Sequence, residues 1–178
     1  MTIEVLNGTD KSKAMSLLRA VKKDLRRQGI GQWDRFYPNR FVVGGDIRRR
    51  NMYGIKQEGR LVAIVTLDTK MSDKYGALEW QDAHGHPACV HRLAVHPECQ
   101  GKGLGKQLLR FAEELAGRKG HSSIRLDVYA DNPGAVRMYE RAGYRQAGEI
   151  RYPMRKAAYL CLEKLLRTDD VTERNDAQ

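Results

Sequence analysis

The sequence predicts a single α/β domain in which one mixed β-sheet carries helices on both faces. Three observations support this fold class. Strand-like and helical periodicities follow one another in the order βα(α)βββαβαββ, a Glu58-Gly59 turn joins two strand-like segments as a hairpin, and a glycine-rich turn joins a strand to a helix. The 178 residues are enough to bury a hydrophobic core. We expect the domain to span residues 1–166 and the polar tail at 167–178 to fray.

The first part of the chain predicts a short strand and two helices. The strand covers 2–5, and a helix over 11–28 carries apolar residues at helical spacing with Lys and Arg between them. The apolar stripe of this helix consists of Ala14, Leu17, Leu18, Val21 and Leu25. A second helix, around 40–50, has the weaker pattern because Gly44 and Gly45 inside it lower the helix propensity.

The remainder of the chain alternates strands with two stronger helices. Ile124, Leu126 and Val128 alternate with polar residues, as expected for a half-buried strand. Strands are predicted over 52–57, 60–68, 89–95, 123–129, 144–150 and 155–164, and helices over 103–118 and 133–142. The last helix has a proline in its first turn and Gly143 just after its end, which are favoured residues at those positions.

Composition restricts the functional classes. The formal net charge is +10, and residues 11–50 carry 12 Lys or Arg against three Asp, so this region presents a basic face that serves either solubility or an anionic partner. No apolar run is long enough to span a bilayer, and the N-terminus lacks a secretory pattern. The irregular spacing of Cys89, Cys99 and Cys161 favours reduced thiols. We therefore expect a cytoplasmic protein with no membrane partner.

The stretch from 90 to 106 is a strand, a glycine-rich turn and the start of a helix. Glycines at 101, 103 and 105 let the backbone turn sharply and approach a ligand closely. The N–H groups and dipole at the start of the helix favour an anion there, and Lys102 and Lys106 add positive charge. This arrangement predicts a phosphate-bearing ligand, although a purely structural turn would have the same glycines.

Spacing excludes two common phosphate-binding turns and points to a third. A dinucleotide turn needs glycine where Lys106 stands, and a nucleoside-triphosphate loop needs glycine at Gln100 and a hydroxyl at Gln107. Instead, Q-G-x-G-L-G after a strand ending R-L-A-V-x-P resembles the pyrophosphate-binding motif of the GNAT family of N-acetyltransferases. The segment 132–144 is similar to the family's N-x-x-A-x-x-x-Y-x-x-x-G-[FY] motif. By this resemblance the chain is identified as a bacterial-type member of the family.

The resemblance implies a GNAT-like mixed sheet with splayed central strands, and acetyl-CoA as co-substrate without a metal. In the family, the backbone before the glycine turn holds the pantetheine arm, which assigns this role to Leu93 and Val95, although their side chains can equally be core. Asn132 would contact the cofactor or only cap its helix. The implied cofactor-binding residues are Leu93, Ala94, Val95, Gln100, Gly101, Lys102, Gly103, Leu104, Gly105, Lys106, Asn132 and Tyr139.

Acetyl transfer to an amine also needs proton transfer. The resemblance puts Tyr139 near the CoA sulfur, where its phenol would protonate the departing thiolate; the alternative is a packing tyrosine. No spacing selects the general base. Its candidates lie before or on the central strand, with Glu79 slightly favoured over Asp82, His84, His86 and His91. The histidines and the nearby Cys89 fit no zinc-binding spacing, so we expect no metal.

The acceptor is the least determined feature. In this fold, the aromatic connector with Trp33 and Tyr37 overhangs the acceptor site, or it only anchors a loop to the core. We predict an N-acetyltransferase in which a primary amine of a small molecule or peptide attacks acetyl-CoA directly in a ternary complex. The basic N-terminal region disfavours a polyamine. Alternatives are a protein N-terminal or lysine acetyltransferase, and a non-catalytic module that binds acyl-CoA or nucleic acid. We do not expect nucleic acid as a partner, and a homodimer stays open.

Overall fold

A mixed sheet of seven strands organises the part of the chain that the computed structural model describes, residues 2–34, 36–153 and 155–166. In chain order the strands are β1 (Ile3–Val5), β2 (Met52–Gln57), β3 (Arg60–Asp68), β4 (Ala88–Val95), β5 (Ser123–Tyr129), β6 (Arg145–Ile150) and β7 (Tyr159–Leu165). Their order in the sheet is β1-β2-β3-β4-β5-β7-β6. All neighbours are antiparallel except β4 and β5. The tail that we expect to fray, 167–178, lies outside the described residues.

Helices cover both faces of this sheet, as predicted. They are α1 (Lys11–Arg27), α2 (Arg40–Arg48), α3 (Leu104–Arg118) and α4 (Pro133–Arg141). The core that α1 and α2 share with the sheet contains Leu61 and Ile64, whereas the core around α3 contains Val62 and Val65. Because Leu61 and Val62 point to opposite faces of β3, each helical layer buries its own apolar stripe. No helix in the described ranges is long and apolar enough to cross a membrane.

The two central strands diverge, which confirms the splay that the resemblance implies. β4 and β5 pair in parallel only at Ala88 with Ile124 and at Cys89 with Arg125. On its other side, β4 stays paired with β3 as far as Val95, through a bulge at which Arg92 has a φ of 50°. From Val90 onward, the β4 edge that faces β5 therefore has no strand partner among the described residues. The divergence opens a gap in the middle of the sheet.

Two local features depart from the sequence pattern. β7 begins at Tyr159 rather than at 155, because the backbone bends at 156 and 157. Just before this bend, the Arg155 guanidinium donates hydrogen bonds to the Gly31 carbonyl at 3.0 Å and to Asp34 Oδ2 at 2.6 Å. Inside α2, the glycine pair that weakened the helical pattern lies against the ends of long side chains. A Cβ at Gly44 would lie 2.8 Å from Lys11 Nζ, and one at Gly45 would lie 3.2 Å from Arg49 Nη2, both of which are flexible enough to move aside.

Candidate active site

The gap between β4 and β5 opens into a cleft of about 1990 Å³. Its walls are the free edge of β4, the start of α3, one face of α4, and described residues between Ile30 and Val42, which belong to the connector after α1 and to the first turn of α2. This volume exceeds the roughly 300–1,000 Å³ of a typical small-molecule site, so the cleft has room for two ligands end to end. One end carries the glycine turn and the other carries aromatic side chains.

At one end, the glycine turn leads directly into α3. Gly101 and Gly103 have φ values of 75° and 78°, a left-handed conformation that glycine adopts without strain. No atom lies within 4 Å of a Cβ built at either residue, so their backbone stays open to a ligand. Gly103 is the N-cap of α3, and the first N–H groups of that helix face an anion site. Lys106 lines the cleft here, whereas Lys102 is exposed beside it.

Gly105 and Gln100 have supporting roles in this turn. A Cβ at Gly105 would lie 3.1 Å from Met138 Sδ, so this glycine lets α3 approach α4. The Gln100 side chain donates a hydrogen bond to the Val95 carbonyl at 3.2 Å and fixes the turn against the end of β4. Gln100, Gly105 and Val95 line the cleft together with Leu93, Ala94 and Leu104. All the predicted cofactor residues except Lys102 therefore line one continuous cleft.

Asn132 caps α4 and also joins two walls of the cleft. Its Oδ1 accepts a hydrogen bond from the Ala135 N–H at 3.2 Å, which is the capping role. Its Nδ2 donates to Gln32 Oε1 at 2.7 Å, and Gln32 in turn accepts a hydrogen bond from the Tyr159 hydroxyl at 2.6 Å through its carbonyl. The segment between α1 and α2 is thereby fixed to the start of α4.

Tyr139 lies on the face of α4 that lines the cleft. It is 8% exposed, and its ring packs edge-on against Tyr144 at 5.7 Å. Burial first, and then the negative charge of Asp127, raises the pKa of the Tyr139 hydroxyl above its ordinary value, so the phenol keeps its proton. Among the described residues, none accepts a hydrogen bond from this hydroxyl, which leaves its proton available inside the cleft.

The bulge in β4 anchors the acceptor-side wall. Arg92 is 7% exposed, and its Nη2 lies 2.7 Å from the Oδ2 of Asp46 on α2, which is 2% exposed. Its Nη1 donates a hydrogen bond to the Tyr37 hydroxyl at 2.7 Å. Trp33 packs against the core beneath α1 and also lines the cleft. Trp33 and Tyr37 therefore both line the cleft, and Trp33 also packs against the core, while their contact with an acceptor stays a prediction.

The candidate general bases do not come together. Glu79 is exposed and is not among the residues that line the cleft. Asp82 accepts a short hydrogen bond from Ser122, and it too lies outside the cleft, as do His84 and His86. Of the five candidates, only His91 reaches the cleft wall. The base that the sequence slightly favoured thus lacks access to the cleft.

His91 faces a second carboxyl group. Its Nε2 lies 3.1 Å from Asp68 Oδ1, and both residues line the cleft. Burial alone would raise the pKa of Asp68, but the hydrogen bond and charge of His91 outweigh it, so the pKa of Asp68 is lowered. The imidazole and carboxylate therefore form a polar pair on the β3–β4 side of the gap.

Asp127 is a site residue that the sequence reasoning missed. It lies on β5, lines the cleft opposite β4 and accepts a hydrogen bond from the Tyr75 hydroxyl at 2.6 Å. Burial, and next the charge of Asp127, raises the pKa of Tyr75, so Tyr75 stays a neutral donor. The sequence does show that Asp127 alternates with the buried residues Leu126 and Val128 of β5. It does not show that Asp127 faces a cleft, because the cleft exists only where β4 diverges from β5.

Comparisons with known proteins agree with this geometry. The model of the Acetyltransferase (GNAT) family matches residues 35–144. The uncharacterized N-acetyltransferase YesJ of Bacillus subtilis (strain 168) is 30% identical over 141 residues, which cover 78% of this chain and 78% of that protein. The match to the family model therefore covers more than half of the chain.

Solved structures have the same fold. A GNAT-family acetyltransferase from Streptococcus agalactiae 2603 superposes with a TM-score of 0.80 at 19% identity, over 93% of this chain and 95% of that one. YncA of Salmonella typhimurium, solved with its cofactor acetyl-CoA, superposes with a TM-score of 0.70 at 15% identity, over 94% of each chain. The family match, the divided sheet and the glycine turn lead to one conclusion: the chain belongs to the GNAT acetyltransferase family, and it is an acetyltransferase.

Proposed function

We propose that the protein transfers an acetyl group from acetyl-CoA to a primary amine by direct attack in a ternary complex. One observation carries the proposal: a single cleft runs from the glycine turn, past the free edge of β4, to an ionisable carboxylate and an aromatic wall. Such a cleft allows a long phosphate-bearing co-substrate and a second substrate to meet end to end. This geometry replaces a bimolecular encounter in solution with a near-attack arrangement.

The chain's groups fit acetyl-CoA at one end of this cleft. The N–H groups at the start of α3 and the Lys106 ammonium match a diphosphate in charge and hydrogen bonding. The unpaired β4 edge, from Val90 to Val95, offers backbone N–H and C=O groups to an amide-containing arm. When bound, acetyl-CoA supplies an activated thioester carbonyl, and backbone N–H groups of β4 near the bulge can stabilise charge on its oxygen.

Asp127 is our proposed acceptor of the amine proton. An alkyl ammonium with a pKa near 10.4 has to lose a proton before it attacks, so a nearby anionic group is needed. Asp127 faces the gap from β5, and its Oδ1 accepts a hydrogen bond from the Tyr75 hydroxyl at 2.6 Å. The His91–Asp68 pair on the other side is the alternative base, since it also borders the cleft. Glu79 has no comparable position.

Tyr139 is our proposed donor to the leaving thiolate. Its hydroxyl holds its proton because burial raises its pKa, and it lies on the α4 wall of the same cleft. The negative charge of Asp127 contributes to this raised pKa of Tyr139, so the proposed proton donor stays protonated. This pairing of a neutral donor with an anionic acceptor supports a direct transfer without a covalent intermediate on the protein.

The first test is thermal unfolding with acetyl-CoA, CoA and ATP in parallel. A ligand at about 100 times its Kd stabilises the folded protein by about 2.7 kcal/mol, which is a measurable shift in Tm. We expect shifts with acetyl-CoA and CoA but not with ATP. The second test is release of free thiol in the presence of amines, which should fall on Asp127→Asn and Tyr139→Phe substitution. Stabilisation by acetyl-CoA without thiol release from any amine or peptide would instead favour a non-catalytic acyl-CoA-binding module.

A further inference from the structure

We infer that the acceptor is a monoamine with an apolar, preferably aromatic, body, which lies against the wall of Trp33, Phe36, Tyr37 and Phe41 while its amino group meets Asp127. This inference rests on the proposed function and names its acceptor class. It follows from three features of the cleft: exposed aromatic side chains, a wall held by hydrogen bonds, and a charge pattern that leaves one carboxylate for a cation at the gap between β4 and β5.

Exposed apolar side chains are concentrated at the acceptor end. Among the described residues, the large hydrophobic side chains that are clearly exposed are Phe36 (66%), Tyr37 (38%), Phe41 (77%) and Leu165 (51%). The first three lie within six residues of each other and line the cleft, whereas Leu165 is elsewhere, at the end of β7. Exposed apolar side chains concentrated along a cleft are typical of a ligand surface.

The wall is held in place by several hydrogen bonds. Asp34 Oδ1 accepts hydrogen bonds from the backbone N–H groups of Phe36 and Tyr37, at 2.8 and 2.7 Å. Asp34 Oδ2 accepts a hydrogen bond from the Arg155 guanidinium at 2.6 Å. The Pro38 carbonyl accepts a hydrogen bond from Lys22 Nζ at 3.0 Å. These contacts fix the backbone that presents the aromatic rings. A surface that is already ordered binds an apolar ligand at a low entropic cost.

The charges of the cleft favour one ammonium group rather than several. Three of its carboxylates already have cationic or imidazole partners: Asp34 with Arg155, Asp46 with Arg92, and Asp68 with His91. Asp127 differs, because its hydrogen-bond partner is the neutral hydroxyl of Tyr75, and no Lys or Arg of the described residues forms an ion pair with it. Asp24 also lines the cleft with a neutral partner, the Gln28 amide at 2.7 Å, but it lies on α1, whereas Asp127 lies on β5 at the gap. At the gap between β4 and β5, one carboxylate without a cationic partner among the described residues matches a monocation.

The rest of the cleft opposes additional positive charge. The side chains of Arg48, Arg49 and Lys70 line it on the acceptor side. A polyamine or an aminoglycoside that placed one amino group at Asp127 would bring its other ammonium groups near these cations. Juxtaposed like charges discriminate strongly against such a partner. The cleft therefore selects for an apolar body attached to one amine.

The test compares acceptors of defined chemistry by thiol release from acetyl-CoA: 2-phenylethylamine, ethylamine, spermidine, kanamycin, and a peptide with a free N-terminus. We expect kcat/KM for 2-phenylethylamine to exceed that for spermidine and kanamycin by about 100-fold, on the scale of like-charge and apolar discrimination. It should also exceed that for ethylamine, which has no body to contact the wall. Calorimetric titration of 2-phenylethylamine into the CoA-saturated protein gives a readout that does not depend on turnover.

Two exposed hydrophobic residues form a matched pair of variants. Phe41→Ala should raise the KM for 2-phenylethylamine about 10-fold and weaken its calorimetric affinity equally, and it should affect ethylamine less, because ethylamine is too small to contact the ring. Leu165→Ala, an exposed site outside the cleft, should change neither. Because Phe41 is 77% exposed, its truncation leaves the core intact.

Each other outcome contradicts the inference in a recognisable way. Faster turnover of spermidine or kanamycin, transfer only to the peptide, or equal effects of Phe41→Ala and Leu165→Ala would overturn it and leave the proposed acetyltransferase function standing. Loss of thermal stabilisation by acetyl-CoA, or no thiol release with any acceptor, would reject the proposed function itself. The two failures are therefore distinguishable in one set of experiments.

Discussion

The ion pair between Arg92 and Asp46 offers a direct test of how the acceptor wall is attached to the sheet. The two side chains are 7% and 2% exposed and lie 2.7 Å apart, and Arg92 also donates a hydrogen bond to Tyr37. We propose Arg92→Met, which keeps much of the side-chain volume but removes the charge. The substitution leaves Asp46 buried with only one cationic neighbour, Arg49, whose side chain is 46% exposed.

The expected cost follows from burial. Removing one partner of a buried ion pair typically destabilises a protein by about 3–5 kcal/mol, because the remaining charge stays desolvated. Since Arg49 still contacts Asp46 at 3.1 Å, we expect the lower end, about 3 kcal/mol. For a domain of this size, each kcal/mol lowers Tm by about 2–4 °C, so the shift should be about 6–12 °C.

The control is an ion pair in a different environment. Arg110 and Glu114 on α3 lie 3.0 Å apart, but their side chains are 71% and 52% exposed. Arg110→Met should cost only about 0.3–0.5 kcal/mol, because water and salt screen exposed pairs. Urea unfolding of both variants measures the difference. A double variant, Arg92→Met with Asp46→Leu, should recover much of the loss, since no unpaired charge then remains buried. If Arg92→Met were as mild as Arg110→Met, the reasoning about burial would be refuted.

Three further predictions concern the turn, the cleft pair and the proton donor. Gly103→Ala should destabilise the fold by about 1–2 kcal/mol and weaken CoA binding, because φ is 78° at this residue. Gly117→Ala, within α3, should stabilise the fold by about 0.5–1 kcal/mol, because alanine has the higher helix propensity. Urea unfolding measures the stability of both variants, and calorimetry measures their CoA affinity. The pKa of Asp68 is lowered in the folded protein, so its carboxylate should stabilise the fold at pH values above its unfolded pKa of about 3.9. This stabilisation should disappear as the pH falls through the lowered pKa of the folded state. Asp68→Asn should therefore be destabilising at pH 7 and nearly neutral at the acid end of a series of urea-unfolding measurements. Tyr139→Phe should lower kcat by about 10²–10³-fold with little change in the affinity for CoA, as steady-state kinetics and calorimetry will report.

Each of these predictions has a contrary outcome. Equal responses to alanine at Gly103 and Gly117 would show that the left-handed turn is not required. A stability gap between the protein and Asp68→Asn that widened toward acid pH would contradict the lowered pKa. Full turnover by Tyr139→Phe with its best acceptor would remove Tyr139 from the proposed proton transfer.

Local patterns determined much of the architecture. The spacing of apolar residues was sufficient for β2, β3 and β5, whose predicted bounds match the structure, and for α1 and α3 within one residue. The segments 100–106 and 132–144 identified the family because a phosphate-binding turn needs glycines in a fixed order, and that order is a property of the chain itself.

The composition of the cleft was decided by tertiary structure. Asp127 looked like an ordinary outward residue of a half-buried strand until β4 turned away from β5 and opened a cleft beside it. Glu79, in contrast, was plausible by its position before the central strand, yet it folds to the exposed surface. Proximity between residues far apart in sequence depends on strand pairing and divergence, which hydrophobic periodicity does not encode.

The acceptor wall shows the same division. The aromatic residues of the connector were visible in the sequence, but their rigidity comes from Arg92 and Arg155, which lie 55 and 121 residues away from their partners Tyr37 and Asp34. The sequence by itself therefore determined the fold class, the family and the anion-binding turn, since these depend on local spacing. Only the tertiary structure decided which carboxylates and which aromatic side chains border the cleft, because those contacts form when distant segments pack across the divided sheet.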